Sequence, residues 1–238
     1  MAETLQRVHS FLVPDSFEPA TSKRRFSLMM QDHIAHLVVP ALVKRVHSDA
    51  PTVRLDILPW QTPPSIKPER ARTIDLLISC STNEITGFHR GTLFTDTEVT
   101  VARKGHPAAS RLRTLRTLLK ANHVAVVGRG LVEDPVDAWL RQEGLARNIA
   151  LRVPSYLQAL QTVAKSDVVA FVPKRLAESL ARPFSLLVLT PPIDPREYQE
   201  YLFYPLRAVQ DPASIWLRKL IFDISQEANH GQRPKLSP

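Results

Sequence analysis

Short apolar runs alternate with amphipathic stretches along most of this chain, and no other property restricts its fold as tightly. RFSLMM (25–30), VRLDIL (53–58), TIDLLIS (73–79), VTVARKG (99–105), HVAVVG (123–128), IALRV (149–153), VVAFV (168–172) and FSLLVL (184–189) read as strands. Helical patterns separate them. Ile34, Leu37, Val38, Ala41 and Leu42 recur at i, i+3, i+4, i+7 and i+8, and Leu112, Leu115, Leu118 and Leu119 share one face of a second stripe. Asp134-Pro135 is an N-cap followed by proline at the first helical position, and Gly144 closes that helix. Ser155 and Gln158 have capping-box spacing ahead of Tyr156, Leu160, Val163 and Ala164. PKRLAESLA is a further helix, and Asp211-Pro212 opens a last one with Ala213, Trp216, Leu217, Leu220, Ile221 and Ile224 inward. The alternation predicts an α/β fold with a mostly parallel sheet covered on both faces. Ligands of such sheets sit where strands end and helices begin.

Composition narrows the function. The 238 residues can bury a sizeable core, and 44% hydrophobic with 23% charged residues is ordinary for a globular protein. No apolar run is long enough to span a bilayer, and the N-terminus lacks the apolar core of a signal peptide, so a cytoplasmic protein without membrane association is expected. The single cysteine, Cys80, rules out an internal disulfide; it follows a buried strand and reads as a small core hydrophobe. A net charge of +8 favours anionic partners, but only Lys23-Arg24-Arg25 forms a basic run. Seven glycines supply neither a Walker loop nor GxGxxG.

Signatures of catalysis are missing. HExxH and GxSxG do not occur, and Ser155 is explained as a helix cap. Asp32, His33 and His36 fall at a helix start, where a metal site would need one or two more converging ligands. The expectation is that Asp32 caps its helix and the two histidines lie near the mouth of a cleft without metal. Further short polar or aromatic residues at strand-to-helix junctions are Phe94, Thr95 and Asp96; Gly128 and Arg129; Ser155 and Tyr156; and Phe171 with Pro173. Free N–H groups at helix starts make such junctions anion sites. Together they describe a cleft for a small molecule, without cofactor.

The order of motifs adds a resemblance. RRFSLMMQDHIAHLVVPALVKRVHSDAPTVRLDIL, then TIDLLIS, LFTDTEVTVARKGHP, PSYLQALQTVAKSDVVAFVPKRLA and DPASIWLRKLI resemble, in sequence order, the effector-binding domain of LysR-type transcriptional regulators, from about residue 22 to 226. HVAVV, LRVPSY and LFYPLRAVQDP look closest to the branch of nodulation regulators and sensors of salicylate-like and nitroaromatic acids. The resemblance implies two Rossmann-like subdomains of the periplasmic-binding-protein type, joined by two crossover strands. Placed on this sequence, residues 1–21 are a lead-in or linker end, 22–97 with 201–228 form subdomain I, 98–200 form subdomain II, and 229–238 are a flexible tail. It implies a site at Asp32, His33, Ile34, His36, Phe94, Thr95, Asp96, His123, Gly128, Ser155, Tyr156, Phe171, Pro173 and Phe203.

Two departures stand out. The family's helix-turn-helix is not recognisable in these residues, so DNA contact is expected only through such a domain outside them. Ser155 stands where the branch's aromatic sensors carry histidine, and Pro205 replaces a polar residue, so the effector is expected to differ. The expected function is binding of a small organic effector, an aromatic or other carboxylic acid, by a homodimer or homotetramer that regulates transcription and performs no catalysis. The helices at 34–46 and 136–143 are its expected packing faces. The rival readings are a solute-binding protein of the same fold and a metal-dependent hydrolase.

Overall fold

The computed structural model describes residues 17–128 and 131–230. Nine strands and seven helices follow in order. They are β1 (Arg25–Met29), α1 (Asp32–Asp49), β2 (Arg54–Leu58), α2 (Pro68–Ala71), β3 (Leu76–Ser79), β4 (Phe88–Arg103), α3 (Leu115–Lys120), β5 (Asn122–Val126), α4 (Pro135–Gln142), β6 (Asn148–Val153), α5 (Tyr156–Lys165), β7 (Val169–Pro173), α6 (Lys174–Ala181), β8 (Leu186–Leu189), β9 (Glu197–Pro205) and α7 (Pro212–His230). The helix expected to end before residue 229 continues to His230; residues 1–16 of the lead-in and 231–238 of the tail lie outside the described residues.

The strands form one sheet in the order β2-β1-β3-β9-β4-β7-β5-β6, with β8 also on β4. Its flanks are parallel: β1 with β2 and β3, β5 with β6 and β7. Its centre is antiparallel, because β4 pairs antiparallel with β9, β7 and β8, and β9 with β3. The expectation of a mostly parallel sheet therefore holds only for the flanks. Two long strands produce the difference. Residues 88–97 of β4 pair with β9, and residues 98–103 pair with β7 and β8, so β4 leaves one half of the sheet and enters the other while β9 returns. The resemblance implies two such crossovers.

Each half has its own core. On one, Phe26, Leu28, Leu76 and Ile78 pack against Ile34, Val38, Leu42 and Val46 of α1 and Leu217, Ile221 and Ile224 of α7. Burying each large aliphatic contributes roughly 1.5–3 kcal/mol. That packing keeps α1 continuous past Pro40, which removes one helical hydrogen bond. On the other half, Val99, Val101, Val124 and Val126 pack on Leu160 and Val163 of α5 and Leu176 of α6. Its opposite face holds Leu118, Leu140, Val169 and Phe171. The N-termini of α1 and α5, one from each half, meet across the crossover strands.

Candidate functional site

That meeting is made by hydrogen bonds. Asp32 is the first residue of α1, after the N-cap Gln31, and its carboxylate does not cap its own helix. It accepts from Ser155 Oγ at 2.6 Å and from the Leu157 backbone N–H at 3.0 Å, so it caps α5 of the opposite half. Ser155 Oγ in turn accepts from Gln158 N–H at 3.2 Å, as its cap spacing predicts. The expectation for Asp32 is thus corrected: the free N–H groups of α5 draw in a carboxylate, and the nearest comes from across the cleft. One residue on, the His33 ring lies edge-on to Tyr156 with centroids 4.9 Å apart, and its Nε2 lies 3.5 Å from Glu200 Oε1.

Beside this contact is a cavity of about 340 Å³, of small-ligand size. Asp32, His33, Gly128, Ser155 and Tyr156 line it, as the sequence predicts. So do Gln31, Trp60, Cys80, Glu98, Val126, Leu131, Pro135, Val136, Trp139, Pro154, Pro195, Tyr198 and Glu200. Glu98 comes from β4, and Tyr198 and Glu200 from β9, so both crossover strands face the cavity.

The remaining predicted residues do not line it. Ile34 is core, and His36, one turn along α1, is half-buried away from the cavity. Phe94, Thr95 and Asp96 lie inside the continuous strand β4, with no helix starting there. They hold α6 instead: Arg175 donates to the Thr95 carbonyl and lies 4.2 Å from the Phe94 ring centroid, and its N–H reaches Asp96 at 3.4 Å. Phe171 lies behind the cavity wall, 6.0 Å edge-on to Trp139 and 5.8 Å stacked on His123. His123 Nε2 donates to the Leu118 carbonyl at 2.8 Å, and burial pulls its pKa down to about 4. Pro173 ends β7 ahead of α6, and Phe203 packs with Met29, Ile74 and Leu77. Arg129 lies outside the described residues. Among the described residues no three His, Cys, Asp or Glu are grouped to hold a metal.

Cys80 needs a second correction. It stands one residue past β3, carries accessible surface and lines the cavity, so it is not a core hydrophobe. Protein atoms still surround it, and burial with the neighbouring Glu200 pushes its thiol up to about 12. The same low-polarity surroundings raise Glu98 well above the usual carboxylate range, first by burial and then through Asp134, Asp96 and Glu200, against the opposing pull of Arg147. Burial likewise raises the Tyr156 and Tyr198 hydroxyls.

The ionisable side chains of the cavity lining are Asp32, His33, Cys80, Glu98, Tyr156, Tyr198 and Glu200, with no lysine or arginine among the described lining residues. Glu98 closes the polar stretch TDTE ahead of VTVA, and Glu200 takes an inward place in the alternation of β9, where it is only 2% exposed. Trp60 follows β2 in a proline-rich stretch that carries no periodicity.

The comparisons with known proteins agree with this architecture. The family model described as LysR substrate binding domain matches residues 19–223. The chain is 30% identical to the HTH-type transcriptional activator NahR of Pseudomonas putida over 88% of this chain and 70% of that one. It is 28% identical to Nodulation protein D 1 of Bradyrhizobium sp. (strain NC92), over 89% of this chain and 68% of that one. A probable transcriptional regulator of Pseudomonas aeruginosa superposes with a TM-score of 0.78 at 26% identity, over 92% of this chain and 73% of that one. The regulatory domain of MexT from Pseudomonas aeruginosa, at 23% identity, shares the fold with a TM-score of 0.73, over 86% of this chain and all of that one. The chain belongs to the LysR substrate-binding domain family, the effector-binding part of LysR-type transcriptional regulators.

Proposed function

We propose that the cavity beside the Asp32–Ser155 contact is the effector site, and that an effector acts by favouring closure of the two halves on each other. The moving bodies are residues 22–97 with 201–228, and residues 98–200, hinged on β4 and β9. The observation that carries this reading is the hydrogen bond from Ser155 Oγ to Asp32, which ties two helix starts from opposite halves at the cavity edge. A ligand that touches both halves binds the closed arrangement better and shifts the population towards it. The ligand contacts proposed are Asp32, His33, Gly128, Ser155 and Tyr156, joined by Trp60, Glu98, Trp139, Tyr198 and Glu200. The other sequence-predicted positions support these from behind.

The reaction is reversible binding, without catalysis. The aromatic half of the expected effector is kept, since Trp60, Trp139, Tyr156 and Tyr198 all line the cavity. The output is proposed to be transcriptional, through a helix-turn-helix of the kind named in the relatives, in the cytoplasm and as a homodimer or homotetramer. Among the described residues no helix is long and apolar enough to cross a membrane. A thermal-shift screen of small aromatic compounds tests the reading. A true effector at 100 times its Kd stabilises the fold by roughly 2.7 kcal/mol, whereas a panel of aromatic acids, alcohols and amines without any saturable shift would overturn it.

A further inference from the structure

The charge of the ligand follows from what the cavity leaves unpaired. Glu200 is only 2% exposed; its Oε1 faces His33 Nε2, and its Oε2 has no partner among the described residues. Glu98 Oε2, on the other crossover strand, is also buried and unpartnered. Buried carboxylate oxygens without donors are costly and call for a partner, whether ligand, ion or ordered water. Around them stand four aromatic rings, Trp60, Trp139, Tyr156 and Tyr198; the described lining itself holds no lysine or arginine, and the pull of Arg147 on Glu98 comes from outside it. Carboxylates combined with several aromatic rings are the chemistry that receives organic cations, through charge-assisted hydrogen bonds and cation–π attraction.

Resting on the effector reading above, we propose that the ligand of this cavity is an organic cation, an arylalkylamine or aryl-bearing ammonium whose charge is taken up by Glu98 and Glu200 within the aromatic wall. The unpartnered indole N–H groups of Trp60 and Trp139 fit a neutral oxygen on the same ligand, an ether or hydroxyl. Two neutral donors do not offset a full anionic charge buried beside the carboxyl groups of Asp32 and Glu200 without a cationic partner in the described lining. The raised position of Glu98 agrees with this arrangement, because an arriving cation supplies the partner that its ionised form lacks.

Three probes of equal ring size and different charge separate the possibilities: 1-naphthylmethylamine, 1-naphthalenemethanol and 1-naphthoate. Each is titrated into the wild-type chain at pH 7 and followed by calorimetry and by tryptophan fluorescence. The amine is expected to bind about tenfold tighter than the alcohol, the worth of one charged hydrogen bond, with naphthoate weakest. In the Glu98→Gln, Glu200→Gln double variant the amine and alcohol should converge. Naphthoate binding as tightly as the amine, or an amine preference that survives the double substitution, overturns the cation proposal and leaves the effector cavity standing. Silence to all three probes overturns both. Should the double variant fail to fold, the wild-type ranking alone decides.

Discussion

Ser155 carries two duties that the sequence presents as one. Its hydroxyl accepts from Gln158 N–H as a helix cap and donates its proton to Asp32 across the cleft. Ser155→Ala is expected to cost about 1 kcal/mol for the cap and to loosen the closed state, because the bond to a charged acceptor goes too. Urea unfolding gives the first, and small-angle scattering of the ligand-free chain gives the second as a larger radius. A variant as stable and as compact as wild type contradicts both roles. Cys80 gives the reverse lesson. A cysteine after a buried strand reads as core, yet the chain turns there and presents the thiol to the cavity. With its thiol pushed up to about 12, it should react with iodoacetamide at pH 8 roughly a thousandfold more slowly than a free thiol, since only thiolate attacks. Bound effector should slow it further. Rapid alkylation that effector does not alter would place the thiol outside the cavity.

Among the elements, helices and flanking strands were legible because their signals are local. Asp134 is the N-cap of α4, its side chain accepting from Val136 N–H at 3.0 Å, and Gly144 just past that helix has φ +70°, a conformation glycine tolerates best. The crossover strands were not legible from periodicity. β4 faces two different partners along its length, so its buried positions change pattern midway, and β9 mixes acids with aromatics; only the family resemblance implied them. The candidate site was half legible for the same reason. Residues at helix starts, such as Asp32 and Ser155, announce themselves by cap chemistry, whereas Glu98, Tyr198 and Glu200 lie inside strands. Asp96 is a strand residue and not the junction residue the sequence suggests. It sits within β4 and accepts from Thr97 N–H at 2.8 Å and from the first turn of α6. Burial raises its carboxyl from 3.8 to about 6, against the pull of those N–H groups and Arg175. The folded state therefore holds this proton more tightly than the unfolded one. Its contribution is fully present below about pH 4 and lost as pH rises through 6. Asp96→Asn, which stays neutral, should match wild type near pH 4 and exceed it at pH 7.5 by an amount of the order of 2–3 kcal/mol. A difference in unfolding free energy that is flat with pH would contradict this.

At the scale of the whole molecule, one sheet carries a core on each half, and two long strands, β4 and β9, run between the halves. Ile57 on the edge strand β2, Leu151 on the edge strand β6 and Val43 on α1 are exposed apolar side chains. Edge strands with such residues invite a second copy, and Val43 lies on α1, one of the two helices expected from the sequence to pack between subunits. Sedimentation velocity at tens of micromolar should give a dimer or larger species; a purely monomeric profile would remove that expectation. The central claim, that effector enters the cavity between the halves, is open to a direct test at Gly128. A Cβ there would meet Leu131 Cδ1 at 3.8 Å and Gln31 Nε2 and Trp60 Cδ1 at 3.9 Å, ordinary contacts. Gly128→Phe therefore accepts the first carbon without strain, and its ring has the cavity to fill. The deciding measurement is calorimetric titration of this variant and wild type with the best compound from the aromatic screen. The account predicts saturable binding to wild type and at least about a hundredfold weaker binding to the plugged variant, a loss near 2.7 kcal/mol, with unfolding of the ligand-free chains nearly unchanged. Equal affinity in a folded Gly128→Phe variant would contradict it, because the effector would then bind elsewhere.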